Sequence, residues 1–285
     1  MVALAMLPPA GSANALRDHM SPYLAKHGDD PVDWRVWGEA ALEEAEEEAR
    51  LLFISSGYFS CHWCHVMQQE SYQDAEIAAM LNKWFLPIKI DRELQPALDA
   101  WLIEFTETTE GTAGWPLNVF LTPDGYPLIG MTYLPREDFH ALLTRLMEFW
   151  DSDRDKAIAF SRAIVERMRA SKTASPAPQL PDAGKLAASL RQQALSLGDD
   201  LQGGFGDQNK FPMSPQLRVL LRLQQREPSP ELHDFLVLTL DQMAGKGLRD
   251  HIAGGFFRYT VDPGWETPHY EKMLYNQAQL ASLYL

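Results

Sequence analysis

The spacing of two cysteines constrains this chain more than any other feature of its sequence. The sequence contains two cysteines, three positions apart, in the string Cys61-His62-Trp63-Cys64. A disulfide framework that takes the place of a hydrophobic core needs more pairs, spread over longer spans. Two thiols within one turn indicate redox chemistry, haem attachment or a metal site instead.

Apolar runs flank the cysteine turn in a regular order of predicted strands and helices. Residues 51–54 and 85–90 are short, continuous apolar runs, which is typical of buried central strands. The turn signal TPDG separates two hairpin strands, at residues 117–121 and 126–134. Helices are predicted over residues 38–50, 66–81, 93–107 and 137–170, the last with a break near 151–155. This order of elements is that of the thioredoxin fold.

Three kinds of chemistry are compatible with the string CHWCH. In the redox hypothesis, Cys61 lies at a helix N-terminus that favours its thiolate, a protonated His62 or His65 stabilises that thiolate, and Trp63 tunes the pair further. Cys64, one turn later, then resolves a mixed disulfide formed at Cys61. Haem attachment requires an exported chain and a second axial ligand, and zinc requires ligands beyond the cysteines and one histidine. The buried strand before the turn favours the redox hypothesis, for which we expect no cofactor and no metal.

Pro116 supports the redox hypothesis independently. It follows Trp115 at the start of a predicted strand, where a trans proline removes a hydrogen-bond donor without any gain. We therefore predict a cis Trp115–Pro116 bond, with an ordinary trans proline as the alternative. A cis-proline loop in this fold faces the cysteine turn, so we expect Pro116 to position the substrate and to act with Cys61 and Cys64.

The second part of the chain has a different pattern. The string SKTASPAPQLP, residues 171–181, predicts a linker. Two loops rich in glycine and aromatic residues, at residues 203–212 and 254–264, alternate with further helices and no strand pattern. These helices are predicted near residues 184–198, 214–225, 230–246 and 268–285. The predicted organisation is an α/β domain over 1–170, a linker over 171–183 and an all-α segment over 184–285.

Charge and hydropathy exclude several classes of partner. The formal net charge of −14 would repel nucleic acids and anionic membranes. No apolar run approaches the roughly 20 residues of a membrane span. Residues 1–7 are apolar but carry no lysine or arginine, which makes a poor signal peptide, so we expect a cytoplasmic protein.

Six segments spread along the chain resemble the spermatogenesis-associated protein 20 family, also described as DUF255 or YyaL-type thioredoxin-domain proteins. They are NALRDHMSPYLAKH (14–27), DPVDW (30–34), GYFSCHWCHVM (57–67), GWPLNVFLTPDG (114–125), GGFGDQNKFP (203–212) and PHYEKML (268–274). The resemblance implies an N-terminal thioredoxin-like domain followed by an (α/α)6 toroid similar to six-hairpin glycosidases and N-acylglucosamine 2-epimerases.

The sequence also departs from that family. Gly130-Met131 stands where members usually carry Gly-Gly, and Asn276-Gln277 stands where they carry Asp-Asn. An (α/α)6 toroid needs about twelve helices, whereas about four follow the linker. We therefore expect an incomplete toroid, from a fragment, a truncated product or a short form.

Polar residues around the two glycine-rich loops form a candidate sugar site, because such loops line the funnel of α/α toroids. His269 and Lys272 are predicted one turn apart on a helix opened by Thr267-Pro268, as functional groups or merely as cap and solvated residues. The candidates are Asp207, Lys210, His251, His269, Glu271 and Lys272, accompanied by Arg258 and Tyr259.

The sequence thus predicts a thioredoxin-like thiol–disulfide oxidoreductase that acts on a protein or small-molecule disulfide. The alternatives are a carbohydrate-active protein with an accessory thioredoxin domain and a non-catalytic binding module. Because neighbouring helices of the ring are missing, we also expect the second segment to leave apolar faces unburied. We expect this segment to pack onto the first domain, to self-associate with a second chain or to stay loose. The expected point of association is the C-terminal helix, with Met273, Leu274, Leu280 and Leu283.

Overall fold

The computed structural model describes residues 14–173 and 182–285 of the chain. The chain divides into two compact units, Met1–Pro176 and Ala177–Leu285, which we call unit one and unit two. A helix continues through Thr173 into the predicted linker, and the next helix begins at Ala183. The rest of the linker, residues 174–181, and the apolar stretch at residues 1–7 lie outside the described residues.

Unit one is a five-stranded sheet covered by helices. Its strand order is β1-β3-β2-β4-β5, with β1, β3 and β2 parallel and with β4 and β5 antiparallel to their neighbours. This strand order confirms the predicted thioredoxin-like fold. The elements are α1 (Pro22–Lys26), β1 (Arg35–Val36), α2 (Glu39–Glu47), β2 (Leu51–Gly57), α3 (His62–Met67), a π-helical turn (Gln68–Tyr72), α4 (Ala75–Trp84), β3 (Phe85–Asp91), α5 (Pro96–Glu110), β4 (Leu117–Leu121), β5 (Pro127–Met131), α6 (Arg136–Ser152) and α7 (Arg154–Thr173).

The two central strands carry the core of unit one. Strands β2 and β3 pair in register from Leu51 opposite Phe85 to Gly57 opposite Asp91, and every residue of both is buried. Their apolar side chains pack against α5 and β4 in one continuous cluster. Because both faces of these strands are covered, the sequence shows continuous apolar runs and not an alternating pattern.

The prediction of one continuous helix over residues 66–81 is wrong. The chain forms α3, the π-helical turn and then α4, which begins afresh after Asp74. The Asp74 carboxylate accepts hydrogen bonds from the amides of Glu76 and Ile77, at 3.0 and 2.9 Å, so it caps a new helix. The break predicted near residues 151–155 is confirmed, because Asp153 separates α6 from α7.

Unit two contains four helices and one short hairpin among its described residues. Its elements are α8 (Ala183–Leu197), α9 (Ser214–Arg226), α10 (Pro230–Gly245), β6 (Tyr259–Thr260), β7 (Pro268–His269) and α11 (Leu274–Tyr284). The all-α prediction is therefore wrong at β6 and β7, which pair antiparallel. The incomplete (α/α)6 toroid remains a prediction.

The helix predicted from residue 268 begins six residues later than expected. Pro268 and His269 lie in a strand, so Thr267-Pro268 does not open a helix and His269 and Lys272 do not share a helical turn. The physical reason is backbone pairing with the preceding chain: Arg258 N–H donates to the Glu271 carbonyl at 2.8 Å. Met273 is instead the residue before α11.

Unit two buries a core of its own, and as expected it also leaves several large apolar side chains exposed. Leu280 and Leu283 of α11 lie inside that core, and Met273 is also buried, which leaves Leu274 as the exposed member of the predicted self-association surface. An open apolar cleft of about 930 Å³ remains beside α8 and α9, lined in part by Leu197 and Val219. Within the described parts of both units, no helix is both long and apolar enough to cross a membrane.

Candidate active site

Cys61 and Cys64 form a disulfide at the start of α3. Cys61 is the N-cap residue, and the Cys64 amide donates a hydrogen bond to the Cys61 sulfur at 3.2 Å. Both cysteines are buried, whereas the neighbouring Phe59 and Trp63 are 59% and 44% exposed. In this form neither sulfur can bind zinc or form a haem thioether.

The two histidines beside the cysteines differ in environment. His65 Nε2 donates to the Phe59 carbonyl at 2.7 Å. Burial lowers the pKa of His65 from its ordinary value. His62 is exposed, with its ring 5.5 Å from that of Trp63.

The Trp115–Pro116 bond is cis, as predicted. The Trp115 ring lies edge-on to the ring of Tyr58, with the centroids 6.0 Å apart. The Tyr58 carbonyl accepts the amide hydrogen bond of Cys61, at 3.1 Å. Tyr58 therefore joins the cis-proline loop to the cysteine turn.

A charged pair holds Trp115 in this position. The indole N–H donates to Asp99 Oδ1 at 2.9 Å, and the Arg92 guanidinium lies 3.9 Å from the Trp115 ring centroid. Ser56 in β2 also donates to Asp99 Oδ1, at 2.6 Å. Sequence reasoning did not identify Arg92, which directly follows β3, or Asp99, which lies in the first turn of α5.

A buried polar cluster lies in the N-terminal part of unit one. Asp30 Oδ2 is 2.6 Å from His27 Nδ1 and accepts the Trp34 indole N–H at 3.1 Å, while Asp30 Oδ1 accepts from the Gln68 amide at 2.8 Å. All four residues are almost fully buried. Gln68 lies in the π-helical turn that continues α3, so the cluster connects the N-terminal segment to the cysteine helix.

Lys89 is a buried cation within β3. Its ammonium donates to Ser55 Oγ at 2.8 Å and lies 4.5 Å from the ring centroid of Tyr72. Burial lowers the pKa of Lys89 to about 7. The sequence signal was a lysine inside the otherwise apolar run FLPIKID, which marks a polar site within a buried strand.

The burial of His27 makes unit one sensitive to acid. Burial, and then the charge of Lys89, lower the pKa of His27 from 6.5 to about 4. As pH falls from 6.5 to 4, the unfolded chain therefore gains a proton at this position that the folded chain does not. The free energy of unfolding should decrease over that window by about 3 kcal/mol, at ~1.4 kcal/mol per pKa unit. Urea unfolding at a series of pH values measures this loss.

The matched comparison is His27→Gln with His140→Gln, a substitution at a partly exposed histidine of α6. We expect His27→Gln to flatten the pH dependence between 6.5 and 4, and His140→Gln to leave it unchanged. An equal slope in wild type and His27→Gln would show that His27 does not carry the acid sensitivity.

In unit two, Lys210 and Lys272 occupy equivalent places in two similar loops. Lys210 Nζ donates to Asp199 Oδ2 at 2.5 Å and to the Gly203 carbonyl at 2.6 Å. Lys272 Nζ donates to Asp250 Oδ2 at 2.5 Å and to the carbonyl of the corresponding glycine at 2.8 Å. We call these two arrangements the lysine clamps. Both lysines thus use their ammonium groups to hold loops.

The loops themselves repeat the string D-x-x-x-G-G-F. In each, the aspartate accepts two amide hydrogen bonds through Oδ1, and both glycines have positive φ, between 69° and 78°, which favours glycine. The first loop has Asp199, Gly203, Gly204 and Phe205; the second has Asp250, Gly254, Gly255 and Phe256. Sequence reasoning noted both loops but missed this internal repeat.

The remaining sugar-site candidates lie in different surroundings. Asp207 and His251 are exposed, and His251 Nε2 donates to the Lys246 carbonyl at 3.0 Å. Glu271 is buried, where it accepts from Arg258 at 2.9 Å and lies 3.8 Å from His269 Nδ1. Tyr259 stacks on His269, with the ring centroids 4.6 Å apart. Carbohydrate binding by these residues remains a prediction.

The sheet topology, the cysteine pair at the start of α3 and the cis-proline loop define a thioredoxin-like protein with a C-x-x-C site. The chain belongs to the family described as "Thioredox_DsbH: Protein of unknown function, DUF255", whose model matches residues 13–169.

Curated relatives extend the similarity beyond unit one. Spermatogenesis-associated protein 20 of Rattus norvegicus is 38% identical over 288 residues, which is 97% of this chain and 36% of the relative. The Homo sapiens protein of the same name is also 38% identical, over 97% of this chain and 37% of the relative. The chain therefore spans little more than a third of the length of these relatives.

Solved structures are similar to part of the chain. A DsbH oxidoreductase is 16% identical, with a TM-score of 0.35, and the match covers 52% of this chain and 94% of that one. A thioredoxin from Thermus thermophilus is 19% identical, with a TM-score of 0.32, over 40% of this chain and 86% of that one.

Proposed function

We propose that unit one catalyses thiol–disulfide exchange through Cys61 and Cys64. The observation that carries this proposal is the Cys61–Cys64 disulfide at the N-terminus of α3, in a thioredoxin-like sheet. A cysteine pair in this position can accept and donate two electrons without a cofactor.

In the reducing direction, the Cys61 thiolate attacks one sulfur of a substrate disulfide. The substrate S–S bond breaks, a mixed disulfide forms on Cys61, and the first substrate thiolate leaves with its electron pair. The Cys64 thiolate then attacks Cys61 Sγ, and the second substrate thiolate leaves. Two electrons pass from the dithiol to the substrate, and the leaving thiolates take up protons from water. The Cys64 N–H hydrogen bond to Cys61 Sγ, at 3.2 Å, supports the nucleophilic role of Cys61.

The surroundings of the pair favour a polypeptide as the substrate. Phe59 and Trp63 present exposed aromatic surface beside the buried disulfide. The cis-proline loop at Pro116, held beside the turn through Tyr58, offers an extended backbone segment to a substrate chain. A small-molecule disulfide is the alternative substrate, since it needs neither surface.

Two measurements on the full chain test this function. The reduced protein should equilibrate with mixtures of reduced and oxidised glutathione as a single two-electron couple, followed by mass after thiol alkylation. It should also accelerate the reduction of insulin disulfides by dithiothreitol. A dithiol that does not re-form its disulfide in oxidised glutathione, or an insulin reaction no faster than with dithiothreitol alone, would contradict the proposal.

A further inference from the structure

Tyr23 is a fully buried tyrosine whose hydroxyl group has no hydrogen-bond partner in the disulfide form. It lies in α1, which is fixed to the end of β3 because Ser21 Oγ donates to Asp91 Oδ2 at 2.6 Å. A buried hydroxyl without a partner costs free energy, since it has lost its bonds to water and gained none in return. Such a group calls for an explanation in terms of another state of the protein.

The Tyr23 hydroxyl and the Cys64 sulfur approach each other across Gly57. A methyl group on Gly57 would lie 2.2 Å from the Tyr23 hydroxyl oxygen and 2.7 Å from Cys64 Sγ. The two atoms are therefore no farther apart than these two distances combined, and a side chain at position 57 would clash with both. Glycine at the last position of β2 therefore leaves room for the hydroxyl group and the sulfur to lie close together.

We propose that the Tyr23 hydroxyl donates a hydrogen bond to Cys64 Sγ when the disulfide is reduced. In the disulfide, Cys64 Sγ is bonded to Cys61 and is a poor acceptor. In the dithiol it is released from that bond, and as a thiolate it is a charged and therefore stronger acceptor. The hydroxyl thus gains a partner only on reduction, so it stabilises the reduced form over the disulfide.

This inference rests on the proposed exchange reaction and assigns Tyr23 a positioning role in its second step. Cys64 loses its proton to water, the resulting thiolate is held by the Tyr23 O–H, and it then attacks Cys61 Sγ as the substrate thiolate leaves. The hydroxyl keeps its own proton throughout.

The surroundings of Tyr23 keep it in the donor form. Burial raises the pKa of its hydroxyl well above the ordinary value, and neighbouring acidic groups act in the same direction. The phenol therefore stays protonated over the whole range in which a thiol titrates. The titratable groups that face it are Tyr72, Asp91, Asp30, Tyr58, His27 and Lys89.

The test compares Tyr23→Phe with Tyr72→Phe in glutathione redox equilibrium. Tyr72 is equally buried in the same aromatic cluster, but its hydroxyl bonds Ser55 and Asn118, at 2.9 and 2.8 Å. Loss of the Tyr23 bond should shift the equilibrium about tenfold toward the disulfide, which corresponds to a potential about 30 mV more negative. Tyr72→Phe should shift it by less than twofold.

A second readout follows the Cys64 thiol itself in the background of Cys61→Ser. There the pKa of Cys64, measured from the pH dependence of its alkylation, should rise when Tyr23→Phe is added and stay constant when Tyr72→Phe is added. A merely structural role of Tyr23 would move neither quantity selectively.

Each outcome bears on the inference. Equal shifts in both variants, or no shift in Tyr23→Phe, would overturn it. If Tyr23→Phe does not fold, wild-type protein labelled with ¹³C at Cζ of Tyr23 gives the answer. That signal should move between the disulfide and dithiol forms, and a constant signal would again overturn the inference. Failure of wild type to equilibrate with glutathione would instead overturn the proposed function.

Discussion

Replacing Cys61 by serine should lower the rate of insulin reduction at least about a thousandfold, because the attacking sulfur is lost. Replacing Cys64 by serine should abolish turnover as well, but by another route. The Cys61 thiolate can still attack a substrate disulfide, and without Cys64 the mixed disulfide cannot be resolved. Cys64→Ser should therefore accumulate a covalent adduct with insulin chains, whereas Cys61→Ser should not.

Mass spectrometry of the two variants after incubation with disulfide-bonded insulin separates these outcomes. The variant with both Cys61→Ser and Cys64→Ser is the control for non-specific adducts. The roles follow from geometry: Cys61 is the N-cap residue and accepts the Cys64 N–H bond, while Cys64 lies near Tyr23. Equal trapping by both single variants would show that the two sulfurs are interchangeable and that this order of attack is wrong.

Lys210→Met should strongly destabilise unit two. Lys210 is fully buried, and its ammonium satisfies both Asp199 and the Gly203 carbonyl. Methionine keeps much of the length of the side chain but leaves a carboxylate and a carbonyl without their donor. Breaking a buried ion pair on one side costs roughly 3–5 kcal/mol, since a charge is left without compensation. Hydrogen exchange of the α10 amides measures the free energy of opening of this unit.

The second lysine clamp supplies the control for that experiment. Lys272 makes the same two bonds in the same type of loop, but its side chain is 33% exposed, so water can replace the lost ammonium. Lys272→Met should therefore destabilise the unit distinctly less than Lys210→Met. Equal losses of stability in the two variants would mean that burial of the lysine does not determine how much its clamp stabilises the unit.

The sheet of unit one could be predicted because its signals are local. The apolar runs at residues 51–54 and 85–90 required central strands, and the turn string TPDG required a hairpin. The break before α4 was also present in the sequence, since Asp74 is a good N-cap, but the apolar periodicity of residues 66–81 obscured it. Residue 268 was mispredicted in a similar way. A proline there suits the start of a helix, but in the structure it belongs to strand β7, which pairs with β6.

The surroundings of the cysteine pair were less predictable, because they come from distant parts of the chain. Nothing local indicates that Tyr23 of α1 meets Cys64 of α3, since that approach depends on how α1 packs against β3. The buried position of Lys89 did have a signal, as a lysine within an apolar run. The D-x-x-x-G-G-F repeat could be read from the sequence. The lysines that close the two loops could not be paired in the same way, because they follow the repeat at unequal distances.

The two loops differ in the length of the segment between the second glycine and the lysine. In the first loop a short segment separates Gly204 from Lys210, whereas in the second a longer segment between Gly255 and Lys272 includes β6 and β7. Both segments end in the same pair of hydrogen bonds from a lysine to an aspartate and a glycine carbonyl. The closing contact therefore tolerates insertions of different length. In the second loop the longer segment also supplies Trp265 to the core of unit two, so its extra length is packed and not merely inserted.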